Sequence, residues 1–216
     1  MDDIVLMSDP AVTGIPVQEN GEPLCDLRRY PGFMLDPRMS DPEGAFAHVR
    51  TGLAARLVAA QERLPDGLQF LVIEGYRPLA LQTAYFERCL ADLRTAHPEW
   101  SAAVAYREAS KSLSPPEIGP HVCGAAIDLT LCTADGVELP MGGEVNADLE
   151  DDPACYTGFA GLPPEAAGNR RLLVDTLTAV GMVNYPTEWW HWSYGDRYWA
   201  MSTGAPAAQY GQLAWT

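Results

Sequence analysis

A single aspartate inside an apolar segment constrains the folding of this chain more than any other feature. In residues 126–131, Ile127 and Leu129 alternate with Asp128, a period of two that is typical of a half-buried strand. An isolated carboxylate is very costly to bury, so it must be paired, hydrogen-bonded or bound to a metal ion. The fold must therefore bring a partner for Asp128 to this strand.

His121 is a nearby candidate for that partner. It precedes Asp128 by seven positions, and on an unbroken strand this odd separation would place the two side chains on opposite faces. A turn or bulge at Gly124 would let His121 enter from the loop and converge with Asp128. Residues 110–120 contain three prolines and a glycine, which predicts an irregular segment leading to His121.

A second histidine lies in the aromatic segment 188–192, three positions after Glu188. Together with His121 and Asp128, His191 would complete the set of two histidines and one carboxylate that holds a catalytic Zn²⁺ and leaves a position for water. Glu188 would then be the general base that takes a proton from this water as it attacks a carbonyl group.

Arg77 is the candidate for stabilising the oxyanion of such a reaction. It follows the apolar run 68–74, which predicts a strand, and it precedes a predicted helix with Leu81 and Leu93 on one face. A guanidinium group is always charged and is a good hydrogen-bond donor. From the residue types alone, Arg77 could instead be an ion-pair partner of Glu74.

A structural interpretation of the same residues also stays open at this point. His121 could be a hydrogen-bonded structural histidine, and the tryptophans of 189–192 are expected in the core rather than on a binding surface. Cys123, next to Gly124, is expected to be a small buried thiol rather than a ligand.

The net charge excludes some classes of partner. The chain has 14 basic and 29 acidic residues among 216, a formal net charge of −15, opposite in sign to the footprint of a protein that binds nucleic acid or anionic membranes. Residues 112–169 contain ten acidic and no basic residues. They favour a bound cation or a substrate ammonium group, unless they form a solvated surface. We therefore expect no nucleic-acid partner and leave the oligomeric state open.

Cysteine usage and hydropathy indicate a cellular location. The five cysteines are odd in number and include no CxxC pair, which favours reduced thiols over a disulfide framework. The acidic start of the chain differs from a secretory signal, and no apolar run approaches the ~18 residues of a membrane span. We therefore expect a cytoplasmic protein without a membrane partner.

Apolar periodicity predicts the architecture. Helical periods cover residues 46–64 and 167–180. Helices and strands interleave irregularly, so the predicted fold class is α+β, a small central antiparallel or mixed sheet flanked by helices. We expect a single domain over residues 1–216, with the motifs between about 25–200 and a surface tail over 203–216.

The segments that carry the candidate residues resemble the zinc D-alanyl-D-alanine dipeptidases, the VanX type of peptidase family M15. The family pattern Ser-x-His-x-x-Gly-x-Ala-x-Asp is similar to residues 119–128, Glu-x-x-His-aromatic to 188–192, and Tyr-Arg-Pro to 76–78. The resemblance implies a central antiparallel sheet that carries one zinc ion per chain, and hydrolysis of D-alanyl-D-alanine. The site residues that it implies are the zinc ligands His121, Asp128 and His191, the catalytic base Glu188 and the transition-state stabiliser Arg77.

Two positions depart from the family pattern. Gly119 stands where the family has a serine, and Asn146 stands where it has an aspartate that helps to hold the free ammonium of the dipeptide. An amide in place of this carboxylate loses a charge-assisted hydrogen bond of about 1.5–3 kcal/mol. These departures favour a related zinc peptidase or amidase that acts on another small peptide. A zinc-binding module without catalysis is a further alternative. The candidate substrate-binding residues are Tyr30, Glu74, Asn146 and Trp190.

Overall fold

A five-stranded sheet is the centre of the computed structural model, which describes residues 4–147, 149 and 151–215. The strands are β1 (Leu24–Asp26), β2 (Phe33–Leu35), β3 (His48–Arg50), β4 (Leu68–Glu74), β5 (Ala126–Thr133), β6 (Val183–Asn184) and β7 (His191–Ser193). The α-helices are α1 (Pro10–Thr13), α2 (Thr51–Gln61), α3 (Leu79–Ala96), α4 (Ala102–Ala109), α5 (Pro164–Thr178) and α6 (Arg197–Thr203). None of these helices is long and apolar enough to cross a bilayer.

The sheet has the strand order β2-β4-β5-β7-β6. Strand β2 is parallel to β4, whereas β5 is antiparallel to both β4 and β7, and β6 is antiparallel to β7. Strands β1 and β3 pair with each other as a separate antiparallel ribbon. The predicted α+β class with a small mixed sheet flanked by helices is therefore confirmed.

The main hydrophobic core joins the sheet to helices α2 and α5. Ile127 and Leu129 of β5 lie in one cluster with Leu53 and Leu57 of α2 and with Leu173 of α5. All five side chains are buried, and burying each contributes about 1.5–3 kcal/mol relative to leaving it exposed. This packing fixes the strand that carries Asp128.

Strand β5 is buried on both faces, so the prediction of a half-buried strand is wrong in this respect. Ala126, Asp128 and Thr130, which alternate with the core residues, are as buried as Ile127. Irregular segments that include residues 112–114 cover this second face and enclose a small cavity next to Asp128. The alternation predicts the strand correctly, but it contains no information about loops that fold back over the polar face.

The helix expected over 46–64 begins later than predicted, at Thr51. The preceding residues form a short 3₁₀ turn and strand β3 instead. The carbonyl oxygens of Phe46 and His48 accept hydrogen bonds of 2.6 Å from the two backbone amides that follow strand β4. These long-range bonds hold the segment extended, because a helix would use the same carbonyl groups internally.

The other elements lie close to their expected positions. Strand β4 covers residues 68–74 as predicted, and α3 contains the helix expected after Arg77. Helix α5 begins at Pro164 and ends at Thr178, a shift of two or three residues from the predicted 167–180. As predicted, residues 110–120 form no strand and no α-helix.

The tail over 203–216, described as far as residue 215, packs against both segments that lead to the candidate site. Tyr210 is buried. The Leu213 amide donates a hydrogen bond of 3.1 Å to the carbonyl oxygen of Val122, and the Tyr76 hydroxyl donates one of 2.7 Å to the carbonyl oxygen of Leu213. The tail therefore contacts the direct neighbours of His121 and Arg77 along the chain.

Candidate metal centre

Strand pairing places Asp128 and His191 side by side. Asp128 of β5 pairs with His191 of β7 on one side and with Glu74 of β4 on the other. The β4–β5 register shifts between Val72 and Glu74, which puts Glu74 rather than Ile73 opposite Asp128. Because paired residues on neighbouring strands project from the same face, all three polar side chains lie on one side of the sheet.

His121 reaches this side from a loop. It begins a 3₁₀ turn that ends at Gly124, whose φ is 65°, a left-handed conformation that favours glycine. A Cβ atom at Gly124 would also collide with the side chain of Leu24. The glycine turn predicted from the sequence is therefore confirmed, and it lets His121 and Asp128 converge.

The three candidate ligands form one buried cluster. His191 Nδ1 lies 3.0 Å from Asp128 Oδ1, and His121 Nε2 lies 3.4 Å from Asp128 Oδ2. The two imidazole nitrogens are 3.2 Å apart. One possible ligand atom from each residue lies within 4.8 Å of the others. The structure thus brings together the residues expected to bind a metal ion, and their role as ligands stays a prediction.

The donor atoms of this cluster suit zinc. His121 Nδ1 donates a hydrogen bond of 2.6 Å to the carbonyl oxygen of Gly75, so Nδ1 carries a proton and Nε2 is the atom that would bind a metal ion. A hydrogen bond of this kind orients most metal-binding histidines. Two imidazoles and one carboxylate are also the protein ligands of many catalytic zinc sites. The residues present therefore fit the ion.

Burial and charge act differently on the two carboxyl groups of the centre. Burial tends to raise the pKa of Asp128, but the adjacent His121 and His191 outweigh it and hold this pKa below its ordinary value. Burial raises the pKa of Glu188 well above its ordinary value, and the negative charge of Asp128 adds to the effect. Asp128 is therefore suited to stay ionised, and Glu188 is suited to take up and release a proton.

Glu188 and His191 belong to one turn, which Asn184 holds in place. Glu188 Oε2 lies 3.7 Å from His191 Nδ1. The Asn184 Nδ2 group donates hydrogen bonds of 3.0 Å and 2.9 Å to the carbonyl oxygens of Glu188 and His191. Asn184 was not among the predicted site residues, because a single asparagine at the end of a strand has no distinctive pattern and these two partners are backbone groups.

Arg77 is anchored beside the centre by two side chains. Its Nε donates to Glu74 Oε1 at 2.7 Å, its Nη2 donates to Glu74 Oε2, and its Nη1 donates to Gln82 Oε1 at 2.7 Å. Burial tends to lower the pKa of Arg77, but Glu74 outweighs it and the pKa is raised. The ion pair between Arg77 and Glu74, which the residue types left open, is thus present. Two of the five guanidinium N–H donors remain for a substrate. Gln82 was not among the predicted site residues.

Two adjoining cavities give access to the centre. A small cavity of about 40 Å³ is lined by all three candidate ligands. A larger cavity of about 740 Å³ shares Arg77, Asn146 and Glu188 with the small one. A molecule in the larger cavity can therefore reach both the candidate base and the candidate oxyanion stabiliser.

The structure separates the four candidate substrate-binding residues. Asn146 lines both cavities and Trp190 lines the larger one, whereas Tyr30 lines neither. Tyr30 packs beside Phe33, with ring centroids 6.5 Å apart, at the edge of the main core, so its position does not match the expected substrate contact. Glu74 is buried against Arg77 and can act on a substrate only through that residue.

The sequence is similar to one family of known proteins over most of its length. The model of the family Peptidase M15, described as D-ala-D-ala dipeptidase, matches residues 43–206. A D-alanyl-D-alanine dipeptidase of Synechocystis sp. is 29% identical over 220 residues, which cover 86% of this chain and 87% of that protein. A D-alanyl-D-alanine dipeptidase of Escherichia coli K12 is 31% identical over 141 residues, which cover 65% of this chain and 61% of that protein.

The similarity to solved structures is weaker, both in sequence and in structure. The LD-carboxypeptidase LdcB has 16% identity and a TM-score of 0.45, with 86% of this chain and 76% of that chain covered. VanYB in complex with D-alanine-D-alanine has 17% identity and a TM-score of 0.42, with 76% of this chain and 82% of that chain covered.

Proposed function

Because the chain belongs to the M15 peptidases, the family described as D-ala-D-ala dipeptidase, we propose that it is a zinc-dependent hydrolase of D-alanyl-D-alanine. The observation that carries the proposal is the convergence of two buried imidazoles and the Asp128 carboxylate, with Glu188 Oε2 3.7 Å from His191 Nδ1. The two curated relatives, both D-alanyl-D-alanine dipeptidases, support the choice of substrate.

In this proposal His121, Asp128 and His191 hold one zinc ion per chain. When bound, zinc supplies Lewis acidity, which lowers the pKa of a water in the open position toward about 7 and polarises a carbonyl group. The Gly75 carbonyl keeps His121 in the required tautomer. Asn184 keeps the turn that carries His191 in place, so the site needs little rearrangement when the ion binds.

Glu188 moves the proton in the proposed reaction. It lines both cavities, and its raised pKa makes its carboxylate a stronger base than that of an ordinary glutamate. As the oxygen of water bonds to the carbonyl carbon, Glu188 takes the proton that this oxygen loses. When the C–N bond breaks, Glu188 passes the proton to the leaving nitrogen.

Arg77 stabilises the negative charge that develops on the carbonyl oxygen. Its guanidinium is buried and already fixed by Glu74 and Gln82, so it need not reorganise during the reaction. Fixed donors in a site that excludes water stabilise a developing charge far more than they would in bulk solvent.

The proposal extends to the compartment in which the enzyme acts. The five cysteines are odd in number and include no CxxC pair, which favours reduced thiols and suits the reducing cytoplasm. We place the enzyme there, acting on D-alanyl-D-alanine from cell-wall precursors or their turnover.

The proposal is tested on the purified, zinc-loaded protein. Elemental analysis is expected to give about one zinc per chain, and a D-alanine assay is expected to show release from D-alanyl-D-alanine but not from matched L-alanyl-L-alanine. Chelation should abolish this release, and added zinc should restore it. A protein that binds zinc and releases no D-alanine would be a zinc-binding module, and a protein that binds no zinc would exclude the metal mechanism.

A further inference from the structure

We infer that Arg170 is a positioning residue for the proposed base Glu188, which it holds in place through the backbone of residues 154–157. The inference rests on the proposed function, because it concerns the base of the same reaction. Two sets of contacts support it. One set joins Arg170 to residues 154–157, and the other joins these residues to the turn that carries Glu188.

Arg170 occupies a position on helix α5 where an apolar side chain is expected. It lies on the same face as Ala166, Leu173 and Leu177, at spacings of three and four residues, and all four side chains are buried. Burial lowers the pKa of Arg170 to about 10, because a cation is costly to remove from water. Arginine is almost never fully buried unless it is paired. The partners of this guanidinium therefore indicate its role.

The guanidinium of Arg170 binds three backbone carbonyl groups. Its Nε donates a hydrogen bond of 2.6 Å to the carbonyl oxygen of Met141. Its Nη1 donates one of 3.0 Å to that of Tyr156, and its Nη2 donates one of 2.5 Å to that of Ala154. Buried carbonyl groups need a donor, and the rigid fork of one arginine supplies it at two alternate residues of this segment. The fork thereby fixes the segment relative to helix α5.

The same segment also holds the turn that carries Glu188. The Trp189 amide donates a hydrogen bond of 3.0 Å to the carbonyl oxygen of Cys155. The Thr157 amide donates another, also of 3.0 Å, to the carbonyl oxygen of Pro186. The two bonds lie on both sides of Glu188 along the chain. A shift of the segment would therefore move the backbone on both sides of the proposed base.

Arg170 contacts the Glu188 turn directly as well. Its Cζ atom lies 4.9 Å from the centroid of the Trp189 ring, a cation–π contact, and Trp189 is the next residue after Glu188 along the chain. Asn184 binds carbonyl oxygens of the same turn. The backbone of the base is thus held by two separate side chains, of which Arg170 also determines the position of the neighbouring indole ring.

Loss of the Arg170 contacts is expected to displace Glu188 more than the three candidate ligands. His191 lies on β7, which pairs with β5, the strand of Asp128, and His121 is bonded to Gly75. Zinc should therefore stay bound. A displacement of about 1 Å at a catalytic group can cost about 10²-fold in rate. We expect kcat to fall and KM to change less, because the proton transfer is affected rather than the binding of substrate.

The test measures kcat, KM and zinc content of the zinc-loaded wild type, Arg170→Met and Arg170→Lys with D-alanyl-D-alanine. Methionine fills much of the same space but donates no hydrogen bond, whereas lysine keeps the charge without the planar fork. We expect kcat to fall by about 10- to 100-fold in Arg170→Met and by less in Arg170→Lys. Both variants are expected to keep the zinc content of the wild type.

Two control variants separate this role from general effects on helix α5. Arg171→Met, at the next and exposed position, controls for the loss of an arginine. Leu177→Ala, on the buried face of the same helix, controls for a loss of stability. Both are expected to keep kcat close to the wild-type value, although Leu177→Ala should unfold at a lower denaturant concentration.

A double-mutant cycle with Glu188→Gln tests whether Arg170 acts through the base. The residual reaction of Glu188→Gln no longer uses this carboxylate, so adding Arg170→Met is expected to lower kcat by about twofold or less. A residue that acts independently of Glu188 would lower kcat by the same factor in both backgrounds. Arg170→Lys takes the place of Arg170→Met in the cycle if the methionine variant does not fold.

The outcomes distinguish this inference from the proposed function. Wild-type kcat in the Arg170 variants, or the same loss of kcat with and without Glu188→Gln, would overturn the inference and leave the dipeptidase standing. A raised KM at unchanged kcat, or a loss of zinc, would also overturn it, because Arg170 would then act on the cavity wall or on the ligands. No release of D-alanine by the zinc-loaded wild type would overturn the proposed function, and this inference with it.

Discussion

Glu74 and Arg77 form a buried ion pair beside the candidate metal centre, with Arg77 Nε 2.7 Å from Glu74 Oε1 and a second contact from Nη2 to Oε2. Glu74 is the last residue of strand β4 and the pairing partner of Asp128. The ion pair therefore holds the guanidinium on the same strand ladder that positions Asp128, the proposed metal-binding carboxylate. The sheet therefore fixes the orientation of the Arg77 guanidinium through Glu74.

Replacing Arg77 by lysine is expected to lower kcat by about 10²-fold or more. A lysine keeps the charge, but its single ammonium group cannot make the bidentate contact to Glu74 and also donate a hydrogen bond to Gln82 in the same geometry. Steady-state kinetics with D-alanyl-D-alanine measure the effect, and KM should change less than kcat. The surface replacement Arg38→Lys, which also involves an ion-paired arginine, is the control. Equal kinetics for Arg77→Lys and the wild type would contradict the proposed role.

Replacing Glu188 by glutamine is expected to lower kcat by about 10²–10⁴-fold while zinc stays bound. The variant has nearly the same shape but cannot accept a proton, and Glu188 is not one of the three proposed ligands. Zinc content by elemental analysis and turnover of D-alanyl-D-alanine are measured on the same preparation. Glu165→Gln, at an exposed position of α5, serves as the control. Loss of zinc together with activity would indicate a ligand rather than a base.

Much of the fold and of the candidate site could be predicted because the signals are local. Strand β4 has an apolar run bounded by turn residues, and its ends agree with the prediction. Gly124 lies between His121 and strand β5. The odd spacing of His121 and Asp128 predicts that the chain turns at this glycine, and the left-handed turn is present. Where spacing and backbone conformation decide the structure, the sequence contains enough information.

The features that could not be predicted depend on contacts between distant segments. The start of helix α2 is displaced because carbonyl groups before it bond to the end of β4. Asn184 and Gln82 act on backbone and side-chain groups that only the folded chain brings near. Tyr30 packs on the core instead of lining a cavity, a difference that no property of one side chain reveals.

Replacing Gly124 by alanine is expected to destabilise the protein by about 1–3 kcal/mol and to weaken zinc binding. The new Cβ strains the left-handed backbone and meets Leu24, so the turn that carries His121 must shift. Unfolding in denaturant and zinc titration measure the two effects.

Gly204→Ala is the matched control for this prediction. Gly204 has a similar φ of 71°, but an added Cβ would have no neighbour within 4 Å. The control should therefore lose stability through backbone strain alone and keep the zinc affinity of the wild type. Equal zinc affinity in both variants would show that the turn at Gly124 does not position His121.

Glu22, which lines neither of the two cavities at the candidate metal centre, is expected to make the stability of the protein depend on pH. Its Oε2 atom accepts hydrogen bonds from the Gly52 amide at 2.7 Å and from the Tyr210 hydroxyl at 2.8 Å. It thereby joins the first turn of helix α2 to the tail. Partial burial tends to raise the pKa of Glu22, but the hydrogen bonds from Tyr210 and Gly52 outweigh it and hold the pKa below its ordinary value.

The sign of the pH effect follows from that lowered pKa. The folded state favours the ionised carboxylate, so the stabilisation is complete above the unfolded pKa of about 4.3 and is lost as the pH falls through the lower folded value. Glu22→Gln should therefore reduce the free energy of unfolding by about 1–2 kcal/mol near neutral pH. The difference from the wild type should shrink in acid, where the wild-type carboxyl is also neutral. Urea denaturation near neutral pH and in acid measures the free energy of unfolding of both proteins, with the exposed Glu87→Gln as control. If Glu22→Gln lowered this free energy equally at both pH values, the ionised form of Glu22 would not be what stabilises this contact.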